Sequence, residues 1–444
     1  MRAREIFLAL LIIFGGVFLY YAQTGRLNLE WNGWDGFFGG RGEEFVFESN
    51  QEIPAPIPAR LDIRNSHGAV EIEAAGTGPV TILFRKHVWR KDKAAAQAVA
   101  DDLKMIVNRE GDRLVLSTNR DDFKRKNFET DFKIVVPAGT PVLVKNAYGP
   151  IKARGTGTAD LINVHGRVSA SAVGGGLVLH TSYEDVAVDG VQGDCHIDSL
   201  HGEVIVQNVQ GDLLIGNTYG SVRAEKAARK LTINASHSEV VAADIQGQAE
   251  IESSYETIRL TRAAAAKIRG RHCDIVLAGI KGPVDLVDDH GTVEADDIHG
   301  AFRVEGQDLG VTGRSISGPE LRLQTSYQDV RILDFSGPAT VSLSHGDLTL
   351  RPRELSASIE VRGSYCAVTL EWPAGLRAPF DGQTTSGAIA WDLPEKPSLQ
   401  KTNGTSVTKA FPDAAGKPGV TIVTSYGDIR VKGAGQQPNV AKAD

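Results

Sequence analysis

Cysteine is scarce: the 444 residues include three, Cys195, Cys273 and Cys366. Along the chain's repeat they lie four or more turns apart, beyond the roughly 7 Å within which two Cα atoms can share a disulfide, so a stapled scaffold is excluded. Cys195 reads as a small buried apolar residue. Runs of basic residues are missing too. The 48 Lys and Arg are interspersed with 55 Asp and Glu for a net charge of −7, which leaves no positive block for a phosphate backbone, and no nucleic-acid partner is expected. A nucleophile elbow, a phosphate-binding Gly loop and a zinc-protease helix are all absent.

What the chain repeats is one short phrase. A Tyr or His set among small polar residues, often followed by Gly, recurs at Tyr148, His165, Tyr183, His201, Tyr219, His237, Tyr255, His272, His290, Tyr327, His345 and Tyr365, with Asp308 in the same place once. The intervals are 17 or 18 residues as far as Asp308, then 19, 18 and 20. Drifted copies end at Ser386 and Tyr426. Such a period sets the architecture before any other consideration.

Each copy carries its own inside and outside. Three residues after the marker the chain is always apolar, from Ile151, Val168 and Val186 through Val204 and Val222 to Leu348, Val368, Ile389 and Ile429. A second apolar residue usually follows two positions later, with a variable one between, which is a strand with one buried face. A third apolar column precedes a Gly column (Gly175, Gly193, Gly211, Gly247, Gly282, Gly300, Gly318, Gly337), where a backbone angle unfavourable to other residues is expected. A second alternating pair, such as Leu177 and Leu179, closes the unit.

Two short strands and two corners in about 18 residues leave no room for a helical crossover. The fold class is therefore all-β, a single-stranded parallel β-helix or solenoid of about 18 residues per rung, right-handed by the usual chirality of parallel crossovers. A 36-residue turn is the competitor, since Tyr and His alternate over the first eight markers. The apolar columns do not recur every six residues, so a hexapeptide prism fits poorly.

Residues 148–372 form the regular solenoid and 373–432 a set of irregular, Pro-rich C-terminal rungs, closed by a final one at 420–431. Residues 433–444 read as a disordered tail. Residues 59–147 hold one rung and a helix-forming stretch, Lys91 to Ile106, whose Ala95, Val99, Leu103 and Ile106 share a helical spacing; together they read as a cap over the open sheet edge. Residues 23–58, rich in Gly, Pro and aromatics, read as a linker. Residues 1–22 read as a transmembrane signal anchor, because Ile6 to Ala22 contains neither charge nor Pro and no small-x-small cleavage site follows, with a removed signal as the alternative. Arg2 and Arg4 hold its short end in the cytoplasm, so the rest is expected to be periplasmic or extracellular, attached to the inner membrane by a single pass.

The Asn-x-(Tyr/His)-Gly-x-Val-x-Val phrase, the apolar N-terminus and the helix-bearing first segment resemble the bacterial β-strand-repeat "putative adhesin" family of unknown function, related to the "head GIN" putative adhesin domain. The resemblance covers roughly residues 59 to 432. It implies a parallel β-helix in the cell envelope and brings no catalytic residues.

Two groups of residues invite a chemical role. The marker histidines could form a metal ladder, but Tyr interleaves them and only His272 and His290 sit on adjacent turns, which favours a stacked structural spine. Asp288, Asp289, Glu294, Asp296 and Asp297 crowd one region, and Asp329 and Asp347 share a column, as a glycosidase pair would, or as a solvated face would. The reading is a non-enzymatic, membrane-anchored envelope solenoid that presents a long surface as an adhesin or scaffold. No catalytic, cofactor or metal residue is assigned. Envelope polysaccharide or another envelope protein is the expected partner. A polysaccharide-active enzyme and an envelope-stress signalling component are the alternatives.

Overall fold

The computed structural model describes residues 42–54, 59–402, 404–414 and 416–434. The expected anchor at 1–22, the linker at 23–41 and 55–58 and the tail beyond Ala434 lie outside the described residues. Among the described residues no helix is long and apolar enough to cross a membrane.

Strand register settles the length of the turn. Val168 pairs with Val186, Val186 with Val204, Val204 with Val222 and Val222 with Val240, each in parallel and each one marker interval on. The same step continues through Ile258, Ile275, Val293, Val311, Val330, Leu348 and Val368. One turn is thus about 18 residues, and the 36-residue alternative is excluded. The second strand of each turn stacks likewise, as Leu177 on Cys195 and Cys195 on Leu213. Two parallel sheets therefore face each other, and their inward columns fill the space between. Val168, Val204, Leu179, Ile197 and Ile215 are all fully buried, and each such side chain contributes about 1.5–3 kcal/mol on leaving water.

The Gly column does not serve the purpose expected of it. Among its members only Gly337 has positive φ. A Cβ on Gly211 would instead stand 2.4 Å from the carbonyl of Gly193, and one on Gly300 2.1 Å from the carbonyl carbon of Gly282. Corners stacked at one strand spacing leave no room for a side chain, so what selects Gly here is close backbone approach. The left-handed angles lie elsewhere. One set precedes that corner by three residues (Ala172, Asn208, Asp244, Arg262), and another sits at the marker itself from His237 onward.

Both ends depart from the simple coil. Glu43–Ile53, inside the stretch read as a linker, is a strand that pairs antiparallel with Val80–Arg90, which pairs antiparallel with Phe128–Val136. Its alternating Phe45 and Phe47 pack on a small cluster of Val88, Ala96, Ala100, Leu103 and Phe128, which is why it docks. The helix is shorter than its composition suggested. It runs Lys93–Asp102, capped by the Asp92 carboxylate on the Ala95 amide at 2.8 Å, and it buries Ala96 and Ala100 rather than Ala95. Met105–Glu110 leaves it to form a hairpin with Arg113–Thr118.

At the other end the last rung in sequence is not the last in space. Val420–Ser425 inserts between Ile359–Ser364 and Phe380–Thr385, parallel to both. Ile429–Gly433 does the same between Val368–Trp372 and Ile389–Asp392. The chain skips a rung through Pro373 and Pro379, lays down the outermost turn, folds the hairpin Ser398–Thr402 and Thr405–Ala410 onto it, and returns to fill the gap. The antiparallel pairs at both ends occupy sheet edges that would otherwise stay open to another chain.

Candidate binding face

The marker corner is built from inside outward. Two residues before the marker stands a buried polar side chain, Asn65, Asn146, Asn163, Thr181, Ser199 and Asn217 in successive turns. Asn163 Nδ2 donates to the carbonyls of Gly149 at 3.0 Å and Gly166 at 2.7 Å, and Asn146 Nδ2 to Gly68 at 3.0 Å and Gly149 at 3.1 Å. Each amide thus satisfies carbonyls of its own corner and of the turn before, which the sharp bend would leave orphaned. On the outside, carboxylates tie turn to turn. Asp185 accepts from the Glu203 amide at 3.1 Å, Asp289 from Gln307 at 2.9 Å and Asp329 from Asp347 at 2.8 Å.

Over this corner the marker rings stack. Consecutive centroids from Tyr148 to His290 are 4.6–5.3 Å apart, as for Tyr148 and His165 at 4.8 Å with planes 10° apart. His67 joins at one end, tilted, at 4.6 Å from Tyr148. Burial, then Arg120 and Lys126, push its imidazole below the usual range. A second run joins Tyr327, His345, Tyr365 and the inserted Tyr426. The rings bury their faces on one another and leave edges outward, with Tyr183 and Tyr219 exposed by 42% and 47%. Offset stacks of this kind are worth about 0.5–1.5 kcal/mol per pair beyond area burial. Imidazole and phenol alternate, so the histidines are spaced by tyrosine except at His272 and His290, 4.9 Å apart.

Alongside the ladder runs a groove. Its larger part, about 740 Å³, is walled by Ile162, Val164, His180, Asp198, Leu200 and Asn217 among others. A stretch of about 500 Å³ repeats the ladder-side columns at Ser326, Ser344 and Ser364, and a separate hollow of about 510 Å³ lies at the Gln51 and Thr81 strands of the cap. In the large part Val164 and Leu200 are exposed at 38% and 42%, with Val178 at 37% nearby. Val164 and Leu200 stand in one column with Ser182 on the turn between them, so apolar and polar positions alternate along the groove. A carboxylate also stands there: Asp198 Oδ2 lies 3.1 Å from His180 Nδ1 and 3.2 Å from His196 Nε2. Among the described residues no group of three or more His, Cys, Asp and Glu side chains is arranged to hold a metal.

The acidic residues of interest do not converge. Asp289, Asp329 and Asp347 line the corner, the first two engaged with backbone amides. Glu294 and Asp296 project outward from the strand Gly291–Ile298, and Asp297 Oδ1 meets His299 Nε2 at 3.0 Å. Asp288 points inward. It takes the Asn position of the buried column, fully enclosed, and neither of its oxygens has a hydrogen-bond partner. Burial pushes its carboxyl up to about 7, helped by Asp289 and Asp274; the backbone amides of Cys273 and Asp289 oppose the rise without meeting hydrogen-bond geometry. The three thiols are buried and free, and burial raises that of Cys195 to about 12.

Periodicity alone did not show His180, His196 and Asp198, which stand on outward positions away from the marker. The signal was nonetheless there, in the 18-residue offset that places His180 beside Asp198. The groove's apolar rim was equally readable, as apolar residues at Val164 and Leu200 where most other turns have Ser or Thr.

No curated protein matches the sequence. A solved structure described as a putative cell adhesion protein from Clostridium sporogenes ATCC 15579 is similar over 87% of this chain and 99% of its own, at 9% identity and a TM-score of 0.18. Residues 58–432 match the family described as Toastrack DUF4097. With stacked parallel turns making up most of that span, the chain belongs to the Toastrack DUF4097 family.

Proposed function

We propose that this solenoid is a non-enzymatic protein of the cell envelope, anchored in the inner membrane by its N-terminal segment, that holds a partner along one face as an adhesin or scaffold. The observation that carries the reading is the groove beside the ladder, where Val164 and Leu200 stay exposed next to a row of ring edges. Apolar rim, phenol and imidazole edges and the His180–Asp198–His196 group together suit a polymer that offers both hydrophobic faces and hydroxyls, such as envelope polysaccharide, or the surface of another envelope protein. A rigid stack repeats a weak contact at each turn, and linked weak contacts gain by effective concentration.

The full chain in detergent is expected to co-sediment with isolated cell envelopes. The double variant Val164→Lys, Leu200→Lys should lose at least about tenfold in affinity, equivalent to roughly 1.4 kcal/mol, with its thermal melt unchanged. Turnover of a polysaccharide panel that vanished in Asp289→Asn or Asp296→Asn would instead put the enzyme reading first. Placement is tested separately. A periplasmic reporter joined after residue 60 should be active and a cytoplasmic one silent, as Arg2 and Arg4 dictate. Soluble mature protein starting near residue 23 would reveal a cleaved signal.

A further inference from the structure

The ladder is interrupted once between its ends. His272 and His290 stack at 4.9 Å and Tyr327 and His345 at 4.8 Å, yet the turn between these pairs carries Asp308 in the marker place. The backbone runs through without a break. The His290 amide donates to the Gln307 carbonyl at 2.9 Å, Gly291 pairs with Leu309, and Val311 pairs with Val330. Two strand spacings put the faces of His290 and Tyr327 roughly 9.6 Å apart. That is twice the ring spacing elsewhere in the ladder, so the gap has the thickness of one flat group. Tyr327 is also the most exposed ladder tyrosine, at 65%. The only other one above 55% is Tyr426 at 57%, whose outer neighbour is Ser386 rather than a ring.

The floor of the gap sets the sign of its occupant. Asp308 is half-buried, and its Oδ1 accepts from the exposed Gln328 amide at 2.7 Å. The flanking Asp289 and Asp329 add negative charge while accepting from backbone amides. A neutral ring sliding in would desolvate the Asp308 carboxylate without compensation. An ammonium would compensate the charge but cannot cover two ring faces. A guanidinium does both, since it is planar, stacks on aromatic faces and meets a carboxylate with two N–H groups.

The geometry points to a binding slot between His290 and Tyr327 for the guanidinium of an arginine side chain on a partner polypeptide, stacked between the two rings and paired with Asp308 in place of Gln328. The slot lies on the ladder itself and stands independently of the groove at Val164 and Leu200.

The test is saturation-transfer NMR on acetyl-Gly-Arg-Gly-amide with the full chain in detergent. The arginine side-chain protons should receive saturation, and the matching lysine peptide should bind at least about tenfold more weakly. Asp308→Asn removes the charge at constant size and should cost about tenfold or more. Asp308→Tyr supplies the missing ring and should abolish binding while leaving the thermal midpoint equal or higher. If that variant folds poorly, Tyr327→Leu, which removes one wall, should reduce binding in its place. No saturation of the arginine peptide, equal binding of the lysine peptide, or undiminished binding to Asp308→Asn would overturn the assignment.

Discussion

Asp288→Asn is expected to stabilise the rod at pH 8 by on the order of 4 kcal/mol and to change it little at pH 4 or below. The carboxyl is fully enclosed, hydrogen-bonded to nothing, and walled by Gly270 and Gly291, whose added Cβ atoms would meet its oxygens. Its titration is raised from 3.8 to about 7. The folded chain therefore keeps this proton up to about pH 7, whereas the unfolded chain gives it up near pH 4. Between those limits the folded state binds more protons, so stability falls as pH rises, and the loss is complete above about pH 7. The aspartates at 289 and 274 and the Cys273 thiol face the same corner, and the two carboxylates deepen the effect. An asparagine offers the amide that Asn146 and Asn163 use at the equivalent corners and has nothing to ionise. Urea denaturation of wild type and variant at pH 4, 5 and 8 reads the difference. A gap between the two curves that did not change with pH would show that Asp288 reaches a partner or water.

Val204→Asp is expected to act in the opposite direction, destabilising the rod by at least as much, and at every pH near neutrality. Val204 is completely buried between Val186 and Val222 on the adjacent turns, in a column that carries no polar residue in any copy. A carboxylate there has no cation and no amide to meet, and the cost is several kcal/mol, enough to consume a large part of a domain's net stability. Glu203→Lys, one residue away and directed outward, should stay within roughly 0.5 kcal/mol. Denaturation midpoints of the two variants settle the comparison. Equal losses would mean that the inward column is not the main source of cohesion.

A local rule governs most of this rod, and local rules are legible. Each turn contacts the next at a fixed offset, so one period and one alternation, seen in Val168, Val186 and Val204, carry turn length, inside and outside together. The ring spine was legible for the same reason. The Gly column was read at the right places for the wrong cause. In a sequence, a recurrent Gly at 211 or 300 looks the same whichever constraint imposes it. Whether that constraint is a left-handed angle or, as at Gly211, a carbonyl 2.4 Å from where a Cβ would stand depends on what the preceding turn places there.

The repeating coil, its two sheets and the residues that fill it follow from the order of residues alone, because neighbours in space are neighbours at a constant distance along the chain. Where that constancy fails, three-dimensional packing takes over. The docking of Glu43–Ile53 and the return of Val420–Ser425 into a skipped place depend on contacts between segments whose separation follows no period. Asp288 belongs with them. Its residue type reads as solvated, and only the enclosing corner makes it a buried acid, because desolvation is a property of the surroundings and not of the side chain.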